Sequence, residues 1–203
     1  MEHEAIFTFV YEQAIWGSDN SRAYRGSSGD GSEQYYNIKE YIPFLRKFIQ
    51  DHEIKQIADL GCGNFKCGPL IYGDLDINYT GYDVYNSVIL NNRQIHPNYS
   101  WVTLNFCKDP TKILPADLCI LKDVLQHWSS DEIYNFLDYI VSQQLFNYIM
   151  ICNCCDQKED DPPNIAPHTR QLSSNFLPLK KYSPQSLLRY NTKEVCIIQG
   201  RPT

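Results

Sequence analysis

Positive charge is in short supply in this chain of 203 residues: 18 lysines and arginines stand against 24 aspartates and glutamates, a formal net charge of −6. A nucleic-acid-binding face is built from clustered basic residues. The balance argues against nucleic acid as a partner, while leaving room for a local basic cleft. Long apolar runs are missing too. A membrane-spanning helix needs about 20 consecutive apolar residues, and no stretch approaches that, so no membrane partner is expected. The opening residues, Met-Glu-His-Glu, lack the basic-then-apolar pattern of a secretory leader. That predicts a cytoplasmic protein whose eight cysteines are reduced thiols. Cys152-x-Cys154-Cys155 has no matching second pair, which a zinc site requires, so no metal is expected. Those thiols read as small buried residues of a strand. No internal repeat and no second domain are visible.

One more absence concerns a turn. Gln56-Ile57-Ala58-Asp59-Leu60-Gly61-Cys62-Gly63-Asn64 is a short apolar run ending in an acid and two spaced glycines. It reads as a buried strand feeding a turn whose backbone comes very close to something, since a Cβ would block the approach. A dinucleotide fold wants a third glycine three residues after the second, and Lys66 stands there. A pyrophosphate also disfavours an acid such as Asp59 beside the turn. These features count against an NAD-dependent oxidoreductase. Asp83 follows Gly63 by 20 positions and ends a second run, Tyr79-Thr80-Gly81-Tyr82-Asp83. A carboxylate at that strand end can accept both hydroxyls of a ribose. Together the two strand ends describe a nucleoside site that suits a ligand bearing positive charge, such as S-adenosylmethionine.

The order Asp-x-Gly-x-Gly followed by an acid at the next strand end resembles the first two motifs of class I S-adenosylmethionine-dependent methyltransferases. The likeness extends over Trp16-Gly17-Ser18, Ser28-Gly29-Asp30-Gly31-Ser32, Asp123-Val124-Leu125-Gln126-His127-Trp128 and Arg170-Gln171-Leu172, from about Tyr11 to Pro178. In this arrangement the chain is similar to small methyltransferases associated with glycan or other small-molecule modification. The loop between Gly17 and Gly29 is longer than usual. Leu104-Asn105-Phe106 ends the third strand where many relatives carry an aspartate facing the adenine amine, and Asn105 can still accept through its carbonyl oxygen. The resemblance implies that Asp59, Gly61, Cys62, Gly63, Asp83, Val84, Asn105, Phe106 and Lys122 border the cofactor. It adds Ser28, Gly29, Gly31, Ser32 and Trp16 as a lid. Successive amides of that glycine-rich loop would meet the methionine carboxylate. A flexible linker with the same composition is the competing reading.

Strands near 55–60, 79–83, 100–106, 117–121 and 147–152 alternate with helices, which means a doubly wound, mostly parallel sheet. Leu187–Tyr190 and Val195–Ile198 around Asn191-Thr192 predict an antiparallel hairpin that completes seven strands. The expectation is a single α/β methyltransferase domain over 1–203, with helices and lid in 1–52 and a Rossmann-like core in 53–203. One helix is predicted over 1–16, and another carries Ile38, Tyr41, Ile42, Leu45, Phe48 and Ile49 on one face. Ser129 and Glu132 form a capping box ahead of the apolar stripe Ile133, Phe136, Leu137, Ile140 and Val141. The proline-rich stretch 153–184 is long enough to be functional.

His127 follows the fourth strand, on the side of the sheet where ligands bind. It reads either as the general base for an acceptor hydroxyl or as a histidine that fixes its loop. Asp123, four residues earlier, would share its face on one helical turn. The pair is the catalytic candidate. Tyr11, His168 and Arg170 are the candidates for the acceptor, which the family likeness gives as a sugar or other small molecule. Protein or RNA methylation, or an inactive relative that keeps the cofactor pocket, are the alternatives. Exposed aromatic residues would suit a homodimer.

Overall fold

The structure, a computed structural model, describes residues 3–19, 23–162 and 170–200. The chain divides into two compact units, Met1–Phe106 and Cys107–Thr203. Seven strands follow the order β3-β2-β1-β4-β5-β7-β6 in one sheet.

The first unit opens with α1 (His3–Glu12) and continues through α2 (Gln34–Asn37) and α3 (Tyr41–Asp51). It then alternates β1 (Gln56–Leu60), α4 (Gly68–Tyr72), β2 (Asn78–Asp83), α5 (Asn86–Ile95) and β3 (Ser100–Thr103). The strands are parallel, with Leu60 opposite Tyr82 and Asp83 opposite Thr103. That register brings the residues after β1 level with the end of β2: the amides of Gly61 and Cys62 both donate to the Tyr82 carbonyl, at 2.8 and 3.0 Å. Phe65 seals the turn from below. Its ring centroid lies 4.9 Å from those of Tyr79 and Trp101.

The second unit holds β4 (Ala116–Lys122), α6 (Ser130–Ser142), β5 (Phe146–Cys154), β6 (Gln185–Tyr190) and β7 (Lys193–Gln199). β4 and β5 are parallel. β7 pairs antiparallel with both β5 and β6, with Lys193 opposite Cys154 on one side and Tyr190 on the other. The capping box forms as expected: the Glu132 amide donates to Ser129 Oγ at 3.3 Å, and the Ser129 amide donates to Glu132 Oε2 at 2.8 Å. Ile133, Phe136, Leu137 and Ile140 are buried on one face of α6, each contributing about 2 kcal/mol by leaving water. Trp128 closes that face edge-on against Phe136.

Three boundaries depart from expectation. The predicted helix through Ile38 is two pieces, and Ile38 is exposed. Pro43 has no amide to give and is tolerated only in a first helical turn, so a helix containing it has to start afresh at Tyr41. Asn37 marks the break by donating to the carbonyls of Gly31 and Glu33, at 2.9 and 2.8 Å. β3 stops at Thr103 rather than at Phe106; the Leu104 amide still reaches the Asp83 carbonyl, at 2.9 Å, and Asn105 and Phe106 turn away. The first helix stops at Glu12, followed by Ala14 with φ 51°.

Candidate functional site

In the first unit the candidates gather on the glycine turn. Gly61 and Gly63 take φ values of 86° and 53°, a region that side chains with a Cβ rarely adopt. Both ends of the Gly63 residue are held. Its amide donates to Asp83 Oδ2 at 3.1 Å, and its carbonyl accepts from Asn92 Nδ2 at 2.7 Å. The other Asp83 oxygen accepts the Tyr85 amide at 2.9 Å. Asp83 is buried, and burial pushes its carboxyl up to about 6 despite the amides of Tyr85, Gly63 and Val84, which favour the ionised form. Asp59, half-buried at the end of β1, accepts the Tyr79 hydroxyl at 2.7 Å. Burial, Asp83 and Asp59 all raise the Cys62 thiol well above its ordinary value.

The serine-glycine loop lies directly on this turn. Ser28 Oγ accepts the Asn64 amide at 2.9 Å and is 2.7 Å from the Tyr11 hydroxyl. A Cβ added to Gly63 would sit 2.7 Å from Ser28 Oγ, so the close approach inferred from the glycine is here an approach by the chain's own Ser28. Tyr11 stacks flat on Tyr85, centroids 4.6 Å apart, and meets Tyr24 and Trp16 edge-on at 5.6 and 6.4 Å. Burial and the Asp83 charge raise its phenol well above the usual range. Tyr11, an acceptor candidate, thus lies against the glycine turn and its serine-glycine loop. Two loop groups are spent internally: the Gly29 amide donates to Ser27 Oγ at 3.0 Å and the Ser32 amide to the Gly29 carbonyl at 3.0 Å. The Gly31 carbonyl accepts from Asn37. Val84 and Asn105 are half-buried beside the two strand ends, and Phe106 is buried.

Lys66, the residue in place of a third glycine, pairs with Asp19 at 3.0 Å and Glu33 at 2.5 Å. It ties the loop to the turn. Asn92 and Lys66 were not among the expected site residues. An asparagine on the apolar face of α5 beside Val88 and Ile89 is the signal that points to Asn92; a lone lysine carries none.

In the second unit Asp123 stands at φ 60°, directly after β4. The chain then makes a short 3-10 turn, Leu125–His127, in place of a helical turn. The expected shared face of Asp123 and His127 gives way to a different arrangement. Asp123 accepts from Lys122 at 2.6 Å and from the buried ammonium of Lys193 on β7. Burial alone would raise the Asp123 carboxyl; the two lysines outweigh it and hold the group at about 2. Lys122, a cofactor candidate, is thus committed to Asp123. His127 is half-buried, its amide on the Val124 carbonyl at 3.0 Å.

Gln126 knits this turn to its surroundings: its side-chain oxygen accepts the Cys154 amide and its carbonyl accepts the Arg170 amide, both at 3.1 Å. The thiols of 152, 154 and 155 each face the hairpin, against the Tyr190 hydroxyl, Lys193 and the Thr192 carbonyl at 3.6, 3.5 and 3.4 Å. Arg170 is buried. His168 lies outside the described residues.

No family model matches the chain, and no curated protein does. Solved structures do resemble it. The magnesium protoporphyrin IX methyltransferase ChlM of Synechocystis, crystallised with S-adenosylhomocysteine, is 12% identical over 96% of this chain and 97% of its own, with a TM-score of 0.63. The methyltransferase domain of bacterial CtHen1 is 12% identical over 79% of this chain and 96% of its own, at 0.62. The bifunctional kinase-methyltransferase WbdD is 11% identical over 78% of this chain, at 0.57, and this chain spans only 38% of its length. A seven-stranded sheet with an antiparallel hairpin at its end, a glycine turn after β1 and an acid ending β2 thus accompany a likeness that runs through methyltransferases of different substrates. The chain has the fold of the class I S-adenosylmethionine-dependent methyltransferases.

Proposed function

We propose that this protein is an S-adenosylmethionine-dependent methyltransferase that O-methylates a sugar, a glycan precursor or another small hydroxylated molecule. The observation that carries the reading is the Asp83–Gly63 contact at the ends of β1 and β2. Asp83 Oδ2 accepts the Gly63 amide and Oδ1 the Tyr85 amide; a carboxylate has about four acceptor sites, so it can also accept from ribose hydroxyls. The neighbouring carboxylate of Asp59 suits a cationic ligand and opposes a pyrophosphate, which disfavours the oxidoreductase reading. Crystals of ChlM and of the N-methyltransferase NodS hold S-adenosylhomocysteine, which supports the same choice. Human N-acetylserotonin methyltransferase, another chain of this fold, supports a small acceptor.

S-adenosylmethionine, when bound, supplies a methyl group on a sulfonium, which an acceptor oxygen takes by displacement. Asp83 would orient the ribose, while Gly61 and Gly63 leave room for it. Tyr11 and Ser28 would exclude water, and a dry site favours a step in which charge is lost. His127 would accept the acceptor's hydroxyl proton at a ring nitrogen. Asp123 would act through position, since Lys122 and Lys193 hold it at the root of the loop that carries His127.

The test is calorimetric titration with S-adenosylmethionine, S-adenosylhomocysteine and NADH in parallel. Heat from the first two and none from NADH is the expected result; NADH binding alone would overturn the reading. His127→Ala should leave cofactor affinity nearly unchanged and lower turnover by about 100-fold. Loss of both together would assign His127 a structural role.

A further inference from the structure

Among the described residues, several buried charges are answered by a partner of opposite sign. Lys193 meets Asp123. Glu194 accepts the Ser174 amide at 2.8 Å and pairs with Arg189 at 3.1 Å. Lys66 meets Asp19 and Glu33.

Arg170 breaks the pattern. Its residue is 6% exposed, yet among the described residues no carboxylate forms an ion pair with it. Nη1 is well used: it donates to Ser130 Oγ at 3.0 Å and to the Pro162 carbonyl at 2.8 Å. Nε and Nη2 are shielded from water and have no hydrogen-bond partner among the described residues. These two are not an arbitrary pair. In a guanidinium, the Nε–H and the outward Nη2–H lie side by side on one edge and point the same way. That edge matches the two oxygens of a carboxylate. A buried guanidinium that spends one nitrogen on neutral anchors and leaves its bidentate edge unbonded among the described residues is fixed in direction and has no anion bonded to that edge.

A second group nearby is similarly unanswered. Asn153 is 1% exposed, and neither its side-chain oxygen nor its nitrogen has a partner among the described residues. It directly precedes Cys154, whose amide is held by the same Gln126 that holds the Arg170 amide. A carboxamide offers one acceptor and two donors, which suits a hydroxyl carried next to a carboxylate.

We infer that the Nε/Nη2 edge of Arg170 is the recognition element for a carboxylate on the methyl acceptor, so that the acceptor is an acid of the sugar-acid type rather than a neutral sugar. The inference rests on the methyltransferase reading for the word acceptor, and on the arginine alone for the carboxylate. Charge decides between oxyanions. Asp161 and Glu132 act on the guanidinium electrostatically without bonding it, and they would repel a dianionic phosphate more strongly than a monoanionic carboxylate.

The experiment is a nitrogen-15 NMR titration of the full chain, following the Arg170 Nε–H resonance, identified by its absence in Arg170→Lys. Glucuronate, inorganic phosphate, glucose and sodium chloride are added separately. The expected result is a saturable shift with glucuronate, weaker binding of phosphate, and no saturable response to glucose or chloride. Arg170→Lys keeps the charge and loses the fork, so calorimetric glucuronate affinity should fall by about tenfold or more. Ser130→Ala, which removes one anchor of Nη1, should weaken glucuronate to a smaller degree and serves if the lysine variant does not fold. An unmoved Nε–H with glucuronate, an equal response to chloride, or tighter binding of phosphate would overturn the assignment. S-adenosylhomocysteine is titrated into the same samples. Glucuronate binding without it would sink the methyltransferase reading and leave the anion site standing; its binding without a glucuronate response would sink the anion site alone.

Discussion

Asp83 is held by the very turn it was expected to serve. Because the carboxyl is pushed up to about 6 by burial, and because ribose hydroxyls donate best to the ionised form, cofactor affinity should fall as pH drops through about 6. Asp83→Asn should remove that dependence and weaken binding by about tenfold or more; calorimetry from pH 5 to 8 reads both. Asp123 is shifted in the opposite direction. Its folded carboxyl lies near 2, below the ordinary 3.8, so its contribution to stability is present above about pH 4 and is lost as pH falls toward 2. Lys193→Met leaves part of that carboxylate's charge uncompensated and should cost about 3 kcal/mol in urea unfolding. Lys193→Met with Asp123→Asn should recover most of it, and the variant's acid limb should be shallower. Gly61, Gly63 and Asp83 were legible in the sequence because their requirement is local: a turn, a close approach and an acid at a fixed strand spacing. Lys66, Asn92 and Lys193 were not, since each meets partners far along the chain and looks by itself like an ordinary polar residue.

At the scale of elements, periodicity and capping were legible and interruptions less so. The stripe of α6 and its capping box rest on short-range chemistry, and both form. Ser129→Ala should therefore destabilise the protein by about 1 kcal/mol, measured by thermal or urea unfolding. The helix ahead of β1 kept its apolar face but lost its continuity at Pro43, a residue that periodicity alone passes over. The loop after β4 was misread for a related reason. Asp123 is left-handed and followed by a 3-10 turn, and its carboxylate meets a lysine on β7, seventy residues away, which no local pattern signals. Spacing of four predicts a shared face only where the backbone is helical.

For the molecule as a whole, the alternation of strands and helices sufficed to give the seven-stranded sheet, and identities of only 11–12% to ChlM, CtHen1 and WbdD accompany the same architecture. Composition argued against partners more readily than it named them. Among the described residues no helix is long and apolar enough to cross a membrane. The serine-glycine loop shows what sequence composition leaves open: Ser and Gly content fits either a linker or a cover, and where the loop lies is set by tertiary bonds that composition does not carry. Ser28, Tyr11 and Lys66 bind the loop to the glycine turn, so on the proposed reading a cofactor entering there would exchange those bonds. Amide hydrogen exchange in residues 23–32 should change on addition of S-adenosylhomocysteine, and unchanged protection there would mean that the loop takes no part in binding.

The aromatic stack over the turn also makes the protein its own optical probe. Of the three tryptophans, Trp101 and Trp128 are buried, whereas Trp16 is half-exposed and lies 6.4 Å from the ring of Tyr11. Excitation energy absorbed by Tyr11, Tyr24 or Tyr85 can pass to Trp16 at such range. Any shift of Trp16 against Tyr11 would then alter both the efficiency of that transfer and the colour of the indole emission, so that movement of this stack can be followed by light without attaching a dye.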